Sequence, residues 1–133
     1  MVGRLFRLRR PSRGRVFGGD GIMAYDERLA ARVRSAMARR RGVAEKKMFG
    51  GVGFLLGGNM CCGVWKEFLI ARIGPGAYDD ALEQTDVQQF DITGRPMRGW
   101  VMVGPEAVRA EGDLRSWVQQ CITFTRSLPA KSA

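Results

Sequence analysis

Apolar positions first recur at helical spacing behind Asp26: Leu29, Val33, Ala36 and Met37 form one stripe, and the Asp26 side chain is suited to cap a helix N-terminus. Arg39 to Arg41 and then Gly42 suit the C-terminal end of that helix. From residue 44 the period shortens. Apolar runs at 44–49, 52–56, 60–65 and 68–72 are separated by glycines, by Gly57-Gly58-Asn59 and by Lys66-Glu67, which predicts four strands in an antiparallel meander. Pro75, between Gly74 and Gly76, suits the first turn of a second helix with Ala77, Tyr78, Ala81 and Leu82 on one face. Two further strands, 89–93 and 100–103, flank the turn Gly94-Arg95-Pro96. A last helix starts at Asp113 as cap, carries Leu114, Trp117, Val118, Cys121, Ile122, Phe124 and Leu128, and stops at Pro129. This order predicts the α+β class: a two-layer sandwich, an antiparallel sheet of about five or six strands with its helices on one face.

Met48 to Trp65 is an uncharged stretch of 18 residues, long enough to raise a membrane span, but six of them are Gly, so it reads as short strands instead. The whole chain, at 133 residues, suits one domain able to bury a core without metal or disulfide staples. Its charge of +9 is uneven. Residues 1–22 hold six Arg and only Asp20 as an acid, with Gly and Pro interspersed, so they are expected to form a disordered basic arm. A domain over 23–128 and a tail at 129–133 complete the expected organisation. The arm lacks the apolar run of a secretory signal, and the three Cys form an odd set; both point to a reducing cytoplasm and away from a membrane.

The absence of His removes every Ser-His-Asp and Cys-His arrangement, and three Cys would complete a zinc site only with a carboxylate. Gly50-Gly51-Val52-Gly53 follows Lys46-Lys47, the reverse of the order that cradles phosphate, so these glycines read as turn and bulge positions. Cys61 and Cys62, adjacent in a strand, are expected to point to opposite faces, with one in the core; Cys121 falls on a helix stripe. Asp79, Asp80 and Glu83 read as a solvated helix face. No catalytic residue, cofactor or metal is assigned. The segment from Arg95 through Met97 and Arg98 to Trp100 presents the residue types that interfaces favour, beside the alternative of a solvated Arg pair over a core Trp and Met.

Several segments together resemble a known family. They are Met23-Ala24-Tyr25-Asp26, Glu45-Lys46-Lys47-Met48-Phe49-Gly50-Gly51, Asn59-Met60-Cys61-Cys62-Gly63-Val64, Arg72-Ile73-Gly74-Pro75, and Thr93-Gly94-Arg95-Pro96-Met97-Arg98-Gly99-Trp100-Val101. In this order, over about residues 23–128, the chain resembles the N-terminal domain of the TfoX/Sxy family, bacterial regulators of natural competence. The resemblance implies a two-layer α+β domain without catalytic residues, here without the C-terminal domain of the two-domain regulators. Those regulators are transcriptional coactivators that work with the cyclic-AMP receptor protein. The expected function is therefore a non-enzymatic regulatory module that binds a protein, part of the transcription machinery, using the sheet edge and the Arg95 to Trp100 turn. Its expected interaction residues are Lys46, Lys47, Phe49, Arg95, Met97, Arg98 and Trp100. The alternative is nucleic-acid binding through the basic arm, Lys46, Lys47 and Arg39 to Arg41.

Overall fold

The computed structural model describes residues 25–92 and 94–131. The basic arm, Met23, Ala24 and Thr93 lie outside them. Helix α1 (Glu27–Met37) starts where its sequence directs: the Asp26 carboxylate accepts from the backbone N–H groups of Arg28 and Leu29 at 2.9 and 3.0 Å, and Leu29, Val33, Ala36 and Met37 are buried. It ends a turn earlier than the sequence suggests. Arg34 is its last-turn cation, and Arg39 to Arg41 lie beyond the helix.

Four strands follow, β1 (Val43–Met48), β2 (Gly51–Leu56), β3 (Asn59–Trp65) and β4 (Phe68–Arg72). Their links are two-residue turns that need left-handed backbone: Phe49-Gly50 at φ 53° and 80°, and Gly57-Gly58 at φ 61° and 83°. Lys66 at φ 53° opens the third. Helix α2 (Pro75–Leu82), β5 (Val87–Gln89), β6 (Trp100–Val103), a single 3-10 turn (Pro105–Val108) and α3 (Glu111–Arg126) complete the domain. The sheet is open and fully antiparallel, with six strands in the order β1-β2-β3-β4-β6-β5.

Two further boundaries differ from expectation. The fifth strand covers Val87–Gln89 rather than 89–93, because after Gln89 the chain leaves the sheet while Phe90 and Ile92 stay packed against it. Helix α3 begins at Glu111, ahead of Asp113, so Asp113 is a first-turn acid and not the cap; the capping position is Ala110, without a side-chain bond.

All three helices cover one face. Phe54, Leu69, Val101 and Val103 from the strands meet Val33 and Met37 of α1, Tyr78 of α2 and Leu114, Val118 and Ile122 of α3 in one core. The thiols correct a simple reading of strand alternation. Phe54 pairs with Cys62 and Leu55 with Met60, so Cys61 is an extra residue in a bulge, and Cys61 and Cys62 are both fully buried in the helix-side core. Contact with Cys61 and burial hold the Cys62 thiol well above its usual range, and burial raises that of Cys121. All three cysteines are free, and no cluster of side chains fit to hold a metal ion occurs among the described residues. None of the described helices is long and apolar enough to cross a membrane.

Candidate functional site

The other face of the sheet has no helix, yet it is not polar. Period-two alternation places Met48, Trp65, Phe68, Ile70, Trp100 and Met102 there, opposite the core residues of the same strands, and the bulge at Cys61 turns Met60 to the same face. Register explains how they are arranged. One cross-strand row runs Lys46, Gly53, Gly63, Ile70, Met102 and Gln88 from one edge of the sheet to the other. Two neighbouring positions in its middle therefore lack side chains. A Cβ on Gly53 would come within 2.7 Å of the Met60 side chain and 3.1 Å of that of Met48, and one on Gly63 within 3.2 Å of Met60. The glycine pair is a floor on which two methionines lie.

Around that floor the surface forms an apolar groove of about 250 Å³. Its walls are Phe49 and Met48 on one side, Trp65 at one end, and Phe90, Met97 and Trp100 on the other side. Ile70, Phe90 and Met102 form a second buried cluster beneath it, and the Phe90 and Trp100 rings stack with centroids 5.8 Å apart. The volume falls below the roughly 300–1,000 Å³ usual for small-molecule clefts, and suits one or two large side chains better than a cofactor.

Phe49 is the unusual residue. It is 77% exposed, at the rim of the groove, and it occupies the first position of a left-handed turn where Asn or Gly would be unstrained. Met97, the other large exposed apolar side chain among the described residues, is 37% exposed and faces it across the groove from the Arg95–Trp100 segment.

The cations on this side are also placed. Lys46 shares the groove face with Gly53 through their register. Lys66 lays its ammonium 4.7 Å from the centre of the Trp65 ring. Arg72, opposite Trp100 in register, holds its guanidinium 5.2 Å from that ring and 5.6 Å from the Phe124 ring of α3, and donates to the Met60 carbonyl at 3.1 Å. No strand position on this face carries a carboxylate; the only strand acid, Glu45, faces the helix side and is bonded to Arg34.

Of the seven residues expected from sequence, Phe49, Met97 and Trp100 line the groove, and Lys46 borders its floor. Lys47 pairs with Val52 and lies on the helix side, since a strand turns successive side chains to opposite faces. Arg98 is bonded to Asp79 at 3.1 Å and lies over the Tyr78 ring, so it ties the segment to α2; Arg95 is exposed nearby. The sequence reading missed Met48, Met60, Trp65 and Phe90. Their signal was the glycines: Gly63 lines the groove, and Gly53, paired with it, leaves room for the Met60 and Met48 side chains to lie over the sheet.

Searches among curated proteins and among solved structures each found no match. The TfoX N-terminal domain matches residues 35–125, from the last turn of α1 to the last turn of α3, and the chain belongs to this family.

Proposed function

We propose that this protein is a non-enzymatic regulatory module that works by docking a protein partner in the groove on the helix-free face of its sheet. The observation that carries the reading is Phe49: a bulky aromatic kept exposed and in a left-handed conformation, at the rim of an apolar groove, where the turn alone would favour Asn or Gly. Strain at a position that folding does not require is a mark of function. Methionines at the floor suit a surface that must adapt to a partner's side chains. The family supports a regulatory setting, with a transcriptional, competence-related partner in the cytoplasm as its specific form; three free buried thiols suit that reducing compartment.

Affinity purification with the full chain tests it. A partner recovered by the parent and by Lys47→Glu, on the opposite face, but lost with Phe49→Asn and with Met97→Asp is the expected result; equal recovery by all four would overturn the reading. A second reading, nucleic-acid binding, rests on the +5 carried by residues 1–22 and on Lys46. Salt-titrated binding of duplex DNA and single-stranded RNA to residues 1–133 and 23–133 separates the two. Phosphate contacts require affinity that falls steeply with salt.

A further inference from the structure

We infer that the occupant of the groove is an amphipathic helix of a partner protein whose apolar stripe is flanked by acidic residues. This inference rests on the docking reading above and adds the partner's chemistry. Two features select a helix. Apart from Met48 of the edge strand β1, the strand positions that line the groove belong to β2, β3, β4 and β6, which are internal to the sheet, so over most of the groove the backbone groups are already paired and an added strand has nothing to bond. A helix satisfies its own backbone and offers a stripe of side chains, here completing a third layer on a sheet already covered by helices on its other face.

The charge on this face selects acids. The open-face strand positions carry Lys46 and Arg72 and no carboxylate; in the flanking turns Lys66 stands beside Glu67 at the Trp65 end, and Arg95 and Asp91 are exposed on the Phe90 to Met97 side, so the charge fixed on the strands themselves is cationic. The same asymmetry argues against two alternatives. A second copy of this chain related by a two-fold axis would oppose the cationic strand positions with their like. An aromatic platform for single-stranded nucleic acid needs open ring faces, but Lys66 covers Trp65 and Arg72 covers Trp100.

The test is a selection from a displayed library of random amphipathic helices on the full-length protein, with counter-selection on Phe49→Asn, which keeps the net charge and so removes binders that merely respond to a basic protein. Expected winners place Asp or Glu beside large apolar anchors at i, i+3 or i+4 spacing. Synthetic winners should lose at least about tenfold in affinity to Phe49→Asn. They should also weaken against Lys46→Glu with Lys66→Glu, while variants of the winners with Lys in place of every acid regain binding to that charge-reversed protein.

Enrichment of neutral or basic helices, lost on Phe49→Asn but indifferent to the charge reversal, would overturn the acidic class and leave the docking groove standing. Displacement of the winners by a single-stranded oligonucleotide would transfer the site to nucleic acid. No enrichment above the Phe49→Asn background would overturn the helix inference, and the affinity purification above decides separately whether the groove docks a partner.

Discussion

Replacing Phe49 by Gly separates folding from function more cleanly than any other single change. About three quarters of the side chain is exposed, so of the roughly 150–250 Å² that an aromatic can bury, only about 50 Å² is covered, worth about 1 kcal/mol at ~25 cal/mol per Å². Against that loss, the residue sits at φ 53°, where a side chain costs about 1–2 kcal/mol that glycine does not incur. Glycine gives back ~0.5–1 kcal/mol through its freer unfolded chain. The terms cancel, so Phe49→Gly is expected to leave unfolding free energy within about 1 kcal/mol of the parent in urea melts followed by far-ultraviolet circular dichroism. Affinity for a groove ligand should fall about tenfold or more, because the exposed area is the part a partner would cover. Two results would refute this reasoning: a stability loss above about 2 kcal/mol, which would make Phe49 a packing residue, or unchanged affinity, which would leave its strain without a role in docking.

The core makes different demands. Phe54 is wholly buried between the sheet and the helices, so Phe54→Ala should cost about 3–5 kcal/mol in the same melts. All three thiols are buried, and a thiol must be an accessible thiolate to react; Ellman's reagent should find none in the folded protein and three after denaturant. The Arg34 hydrogen bond holds the Glu45 carboxyl below its unfolded value near 4.5. Its small stabilisation is thus present above that pH and lost as pH falls through the lower, folded value. The pair is exposed, so Glu45→Gln should cost at most about 1 kcal/mol at neutral pH and flatten that acid limb of a pH-dependent melt.

The elements whose signals are local were legible in the chain. Asp26 caps α1 through bonds two and three residues away, Pro75 opens α2, and Gly57-Gly58 turns β2 into β3, all from residues adjacent to the feature they fix. Boundaries drifted where the deciding contact is remote. Phe90 and Ile92 carry a strand-like pattern but pack on the open face after the backbone has left the ladder. Cys61 and Cys62 share the core because a bulge inserts one residue between two paired positions, and a bulge is a property of register across two strands, not of either alone.

The groove was illegible for the same reason in a stronger form. Gly53 and Gly63 lie ten residues apart on different strands, and each alone reads as a weak point of its strand. Only their pairing turns two local weaknesses into one depression, and only a depression makes sense of the apolar residues gathered around it. Without it, Met48, Met60 and Met97 would be scattered surface methionines. With it, they become the walls and cover of a cavity whose most exposed member is the residue its own backbone tolerates least. Phe49 was nameable from sequence as part of the Lys46–Gly51 segment. The reason to choose it over its neighbours is in the fold: Lys47 looks the other way, and Phe49 is where the strain lies.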